Sequence, residues 1–238
     1  MLKLEAMNNI NTSKRLWHKD VLADKTMSAF ELPSLLGPGK PKLFSAKEII
    51  YCESDRADTV YIISSGLVKM LSYLPNGRAR IVRLHSKGAW IGLGGLLNQP
   101  CEHTAIAIGD VEVYGIPVSR FLTLRQHDPQ HFFQLIEKLY EYLCQADMWI
   151  SEFSTGAIKP RVARLINFLS DIEYGESSAL VDLLTVHEMA DILGVTPESV
   201  SRILAEFKRE DILHRLDDGL SPELYQVDTQ VLHVMAGY

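Results

Sequence analysis

The sequence predicts an α+β chain in three parts: a roll of short strands, one long apolar-striped helix, and a C-terminal domain built on two short capped helices. Three observations predict it. Between Pro41 and Pro117, short apolar runs alternate with polar residues at period two. From Phe132 to Phe153, apolar residues recur in steps of four and three. From Thr185 to Glu210, two helix-start signals flank a glycine corner.

The chain has 238 residues, 47% of them hydrophobic and 23% charged, which suits two soluble domains or one large one. No apolar run approaches the length that spans a membrane, and the N-terminus lacks the apolar block of a signal peptide. A cytoplasmic location is therefore expected. Cys52, Cys101 and Cys144 are widely spaced and form no CxxC, so neither a disulfide framework nor a zinc site is indicated. There is no P-loop, no G-x-S-x-G and no H-E-x-x-H. His85 and His103 lack the H-x-H spacing of a cupin metal site. No catalytic residue and no metal ligand is nominated, and the chain is read as a non-enzyme.

Residues 1–32 read as a polar arm. The roll is expected over 33–127, with LFSAKEIIYC, TVYIIS, GLVKMLSYL, RARIVRLH, HTAIAI and VEVYGI as its strands. Pro75-Asn76-Gly77 reads as a hairpin turn. The long helix is expected over 128–156. Phe132, Ile136, Leu139, Leu143, Ala146, Ile150 and Phe153 form a heptad seam, read as the interface of a two-fold homodimer. Leu135, Tyr142 and Trp149 form a second stripe, read as the face that packs on the roll. The alternative is a long helix buried in a monomer; its charged remainder, including Glu137 and Glu141, favours the dimer.

The last domain is expected over 157–238. Pro160 to about Ile172 reads as a helix with Val162, Leu165, Ile166 and Leu169 inward. Ala179-Leu180-Val181 reads as a short strand. Thr185 and Glu188 fit a capping box, Gly194 a left-handed helix end, and Thr196-Pro197 the start of a second helix. Val200, Ile203, Leu204 and Phe207 face inward at helical spacing, leaving Glu198, Ser201, Arg202 and Lys208 on the opposite face. This is the spacing of a helix-turn-helix, whose second helix enters the DNA major groove. Two core helices meeting at a corner would carry the same caps. The Glu–Ser–Arg face favours DNA, because those side chains suit base edges. The candidate contacts to double-stranded DNA are Thr196, Glu198, Ser199, Ser201, Arg202 and Lys208. Ile212-Leu213-His214 and Leu224-Tyr225-Gln226 bracket a polar loop and read as a β wing, with Asp228 capping a last helix.

Charge runs against this reading. Residues 157–238 carry seven Lys and Arg against fourteen Asp and Glu, a net of −7, whereas residues 1–156 carry seventeen against sixteen. A DNA-binding domain ordinarily shows a basic footprint. Positive charge is expected to concentrate locally on Arg161, Arg164, Arg202, Lys208 and Arg209, with weak non-specific affinity as the result.

The order of roll, long helix and winged helix-turn-helix resembles the Crp/Fnr superfamily, that of the cyclic-AMP receptor protein and the fumarate–nitrate reduction regulator. Three stretches carry the resemblance: Gly66 to Gly77, IGLGGLLNQPCEHTA at 91–105, and TPESVSR at 196–202. The last is most specific, since Glu198, Ser201 and Arg202 match the Glu-x-x-Ser-Arg pattern of the fumarate–nitrate branch. The resemblance implies a cyclic-nucleotide-binding-like domain, a homodimer, palindromes with TTGA-type half-sites, and RNA polymerase as a partner.

The resemblance also nominates Gly92, Leu93, Gly94, His103 and Thr104 as an effector pocket. There the chain departs from cyclic-AMP binders, which carry Gly-Glu-Leu-Gly and then Arg-Ser-Ala. Leu93 cannot accept from a ribose hydroxyl, and His103 lacks the planar fork that holds a phosphate. Cyclic AMP is therefore disfavoured. A four-thiolate iron–sulfur cluster is excluded, because the chain has three cysteines. No cofactor is expected; haem stays an alternative, with His18, His85, His103, Cys52 and Cys101 as candidate ligands in no distinctive motif. Cys101 reads as a buried bystander rather than a redox thiol.

Overall fold

The computed structural model describes residues 39–175, 178–216 and 223–237. The arm expected over 1–32, with its His18, and the tip of the expected wing, 217–222, lie outside the described residues.

Strands β1 (Lys40–Phe44), β2 (Ile49–Tyr51), β3 (Thr59–Tyr73), β4 (Ala79–His85), β5 (Trp90–Ile91) and β6 (Thr104–Pro117) form one antiparallel sheet. β6 pairs with β1, β2 and β3, and β3 also pairs with β4 and β5. Two pairs of strands expected separately are continuous. TVYIIS and GLVKMLSYL fuse into β3, and HTAIAI and VEVYGI fuse into β6. The joint in β3 is Gly66, at φ +87°, where a Cβ would stand 2.3 Å from the Asp110 carbonyl oxygen. Register against β6 shifts on both sides of Ser65, so the glycine marks a bulge that bends the strand without ending it. Conversely, LFSAKEIIYC is two strands. Ser45 and Glu48 close a turn between them, the Ser45 N–H donating to Glu48 Oε2 at 2.9 Å. The hairpin at Pro75-Asn76-Gly77 forms as expected, with the Leu74 N–H on the Arg78 carbonyl at 2.9 Å.

Alternation along β3 and β6 fills two cores. Ile63, Val68, Ile91, Ala105, Val111 and Val113 pack on one side. Val60, Ile62, Trp90, Ile116, Phe121 and Tyr142 pack on the other. Helix α1 (Val118–His127) follows β6 directly and places Phe121 edge-on to Trp90, centroids 5.7 Å apart. Asp128 separates it from the long helix α2 (Pro129–Trp149), since Pro129 has no N–H to continue the ladder. A π-helical turn, Ile150–Ser154, ends that run.

The C-terminal region contains α3 (Ile158–Tyr174), β7 (Leu180–Asp182), α4 (Val186–Leu193), α5 (Pro197–Arg209), β8 (Leu213–Arg215), β9 (Leu224–Val227) and α6 (Thr229–Ala236). Val162, Leu165, Ile166 and Leu169 are buried on α3. The three strands form a small sheet in the order β7-β9-β8. Asp228 caps α6, accepting from the Gln230 and Val231 N–H groups. Trp149, Phe153 and Phe168 stack edge to face, with centroids 4.8–5.9 Å apart.

The chain divides into two compact units between Leu143 and Cys144. The division falls inside the long helix rather than at either end of it. Tyr142 is committed to the core of the roll, while Trp149 and Phe153 belong to the aromatic cluster on α3. Two expectations are corrected here. Trp149 is not part of a stripe on the roll, and Phe153, 1% exposed, is not part of an outward seam.

Candidate nucleic-acid interface and sensor cavity

The pair α4–α5 is held by the caps that the sequence encodes. Thr185 Oγ1 accepts from the Glu188 N–H at 3.2 Å, and Glu188 Oε2 accepts from the Thr185 N–H at 3.1 Å. Gly194 ends α4 in the left-handed region. Thr196 Oγ1 accepts from the Ser199 N–H, and Pro197 occupies the first turn of α5. Val200, Leu204 and Phe207 are buried.

The outward face of α5 carries Thr196, Glu198, Ser201, Arg202 and Lys208, all exposed, with Ser199 half-buried behind its cap. The Glu198 carboxyl is held below the usual carboxylate range. Its own backbone N–H contributes most, then the Thr196 hydroxyl, with His187 adding a favourable charge. It is therefore ionised at neutral pH and acts as an acceptor. Arg202 makes no hydrogen bond or ion pair among the described residues, so its five donors are available to a partner. Lys208 is different. Its ammonium donates to the Tyr225 hydroxyl at 2.7 Å and stands 4.6 Å from that ring, which ties α5 to β9.

Two residues expected to supply surface charge do not. Arg161 is buried and donates to the backbone carbonyls of Phe153 and Leu193. Arg164 donates to the Ala236 carbonyl at 2.8 Å and pairs with Glu152 at 3.3 Å. Both face inward because α3 carries them on the side that meets the chain's own helix ends, whose carbonyls lack helical partners. The accessible basic charge of the helix pair comes down to Arg202, Lys208 and Arg209.

On α2, Ile136 is 49% exposed, Leu139 43% and Leu143 60%, and Ile150 beyond it is 58% exposed. Ala146 is half-buried, and the Phe132 and Leu135 side chains lie outside the described residues. Phe133 and Tyr140, also exposed, were missed by the seam as read from the sequence. Each adjoins a seam residue, Phe132 and Leu139 respectively, and widens the exposed apolar strip at that point.

The roll and the first half of α2 line an open cavity of about 400 Å³, with Gly92, Leu93, Gly94 and His103 among its residues. Thr104 is corrected. It is buried and spends its hydroxyl oxygen on the Glu53 N–H at 3.0 Å, away from the cavity. The GLGG stretch begins a 3-10 turn, Leu93–Leu97, that passes tightly under the loop before β3. A Cβ on Gly95 would stand 1.9 Å from the Ala57 carbonyl oxygen, so glycine is required there for packing. His103 is held below its ordinary pKa, chiefly by burial and further by the Arg83 charge, and is neutral at pH 7. Cys101 is buried and its thiol is pushed up, first by desolvation and then by Asp55 and Cys52. That is the opposite of an activated redox thiol.

Arg83 lines this cavity and was not found by sequence reasoning. In the β3–β4 ladder Ile81 opposes Leu71 and Arg83 opposes Met70, leaving Val82 bulged. A strict period-two reading of RARIVRLH cannot see that shift. Tyr142, reaching in from α2, accepts the Trp90 backbone N–H at 2.5 Å and meets His85 edge-on at 5.5 Å.

Comparison with known proteins agrees with this architecture. Residues 41–128 match the cyclic nucleotide-binding domain family, and residues 161–221 match the Crp-like helix-turn-helix domain. The chain is 29% identical over 174 residues to the transcriptional regulator LdrP of Thermus thermophilus, covering 72% of this chain and 86% of that protein. It is 26% identical over 199 residues to the nitrogen fixation regulation protein FixK of Bradyrhizobium diazoefficiens, covering 82% and 83%. The crystal structure of a CRP-family transcriptional regulator from Thermus thermophilus superposes with a TM-score of 0.70 at 26% identity, covering 83% of this chain and 97% of that one.

Proposed function

This chain belongs to the Crp/Fnr superfamily of transcriptional regulators, and from that premise we propose that it binds TTGA-type palindromes as a homodimer under the control of a signal other than cyclic AMP. The observation that carries the reading is the uncommitted Arg202, exposed beside Glu198 and Ser201 on the first turns of a helix capped by Thr196. Arg202 reads guanine O6 and N7 as a fork, ionised Glu198 accepts from cytosine N4, and Ser201 reaches a neighbouring base. A palindrome requires two such helices, and the exposed Ile136, Leu139 and Leu143 supply an apolar strip for a second copy. RNA polymerase is the expected partner once the dimer is on DNA. Nothing in the site calls for a catalytic role.

The sensor reading rests on the cavity beside Tyr142. A ligand there touches the helix that carries the seam, and so biases its packing. Leu93 withholds the acceptor that a ribose hydroxyl needs, and His103, being neutral, supplies no cation where the resemblance places one.

The acidic C-terminal region, at −7 overall, supports a second reading in which it meets another protein instead of DNA. A gel shift with a TTGA palindrome and a scrambled duplex separates the two. Retention of the palindrome alone supports the regulator; no shift of either duplex, with or without cell extract metabolites, supports the second.

A further inference from the structure

Building on the reading of the roll as the sensor, we propose that its cavity takes a small apolar monocarboxylate, gripped by Arg83. Arg83 projects from β4 into the cavity and is half-buried, yet it has no hydrogen bond or ion pair among the described residues. Burial is the main influence on its guanidinium and lowers its affinity for the proton, while Tyr142 and Glu102 pull the other way. Glu102 stands at the exposed rim and is out of ion-pair reach. A guanidinium placed this way still has its donors to give.

The rest of the lining sets the ligand's body. Met70, Leu93, Leu96, Phe121, Ile136 and Leu139 are apolar, and the cavity's ~400 Å³ falls at the small end of ligand pockets. A neutral apolar ligand would strip water from Arg83 and leave its charge uncompensated, which is unfavourable. The ligand must therefore bring its own acceptor. A carboxylate matches the planar fork with two parallel hydrogen bonds. A phosphate monoester carries nearly two charges, and the lining holds a single charged base, because His103 is neutral. Sugar hydroxyls would meet Leu93 and Leu96. A cyclic phosphodiester also carries one charge, but its ribose hydroxyls find no acceptor at Leu93, so one negative head on an apolar body is the better match to this lining. That body would lie against Ile136 and Leu139, so its size would bear directly on α2.

Isothermal calorimetry on the full-length protein tests this with phenylacetate, indole-3-acetate and octanoate, each beside its neutral amide, and with cyclic AMP. The expected result is binding of at least one carboxylate with Kd below about 100 μM, at least about tenfold tighter than its amide. Arg83→Gln should bring the acid down to the affinity of the amide. The inference is overturned if all three acids fail to bind, if acid and amide bind alike, or if cyclic AMP binds more tightly than any acid. The acid-to-amide comparison is made on the natural sequence, so it stands even where Arg83→Gln fails to fold. The gel shift on unliganded protein is read separately. Loss of DNA binding would refute the regulator without touching the calorimetry, and absence of acid binding would refute the ligand class without touching the regulator.

Discussion

Arg161 donates to the carbonyl of Leu193, the last residue of α4, and the same guanidinium donates to the Phe153 carbonyl at 2.8 Å. One buried side chain thus fixes the end of the first helix of the pair to the π-helical turn. Arg161→Met would leave two buried acceptors bare at an unchanged volume. The expected cost is about 2–4 kcal/mol of stability, read by urea denaturation. Arg161→Lys should recover less than half of it, because an ammonium cannot reach both carbonyls as a fork. A loss under 0.5 kcal/mol, roughly the effect of an ordinary surface change, would contradict the clamp.

Arg202 has the opposite character, exposed and uncommitted. Arg202→Ala should cost about 1–3 kcal/mol per half-site on the cognate palindrome and relax preference at the guanine. Fluorescence anisotropy on cognate and base-substituted duplexes measures both. Equal weakening on cognate and scrambled DNA would instead assign the residue to the phosphate backbone.

Leu143, 60% exposed, sits in the proposed seam. Leu143→Glu should shift the protein to a monomer in sedimentation equilibrium, and palindrome affinity should fall with it. The monomer should keep its folded spectrum, since little of that side chain is buried within its own chain. A variant that stays dimeric would move the interface elsewhere.

Glu173 gives a pH signature. Desolvation, and then the facing Asp182 carboxylate, push its carboxyl up to about 7 from an ordinary 4.5. The folded chain then holds this proton more tightly than the unfolded one. Between about pH 4.5 and 7 the unfolded state binds fewer protons, so stability falls as pH rises through that window. Above it the penalty is complete, and below it absent. Glu173→Gln should therefore stabilise at pH 8 and change nothing at pH 4. Desolvation reaches the carboxyl group while the residue as a whole keeps contact with solvent, so screening limits the gain to about 1 kcal/mol. Equal effects at both pH values would point to packing instead.

The helix pair was legible almost residue by residue, because caps and corners are local. Thr185, Glu188, Gly194, Thr196 and Pro197 each make or permit their own contact within four positions. The roll was legible in kind but not in count. Gly66 looks like an interruption until the approach of Asp110, 44 positions away, explains the bend. Arg83 was invisible for the same reason, since its direction depends on a bulge set by β3. Arg161 and Arg164 were read as surface charge because nothing in the sequence tells which bare carbonyls a helix will meet. Trp149 shares a spacing of seven with Tyr142, yet the two serve different cores. A repeat marks a face of a helix but does not say how far along it one neighbour extends.

The inward turn of Arg161 and Arg164 has a consequence for the cell. Bulk chromosome presents a vast excess of competing duplex, and generic attraction to it comes from phosphate neutralisation. With so few accessible cations beside an acidic background, this helix pair gains little from arbitrary sequence. Few copies would be sequestered along the genome, so a scarce regulator could still fill its own operators.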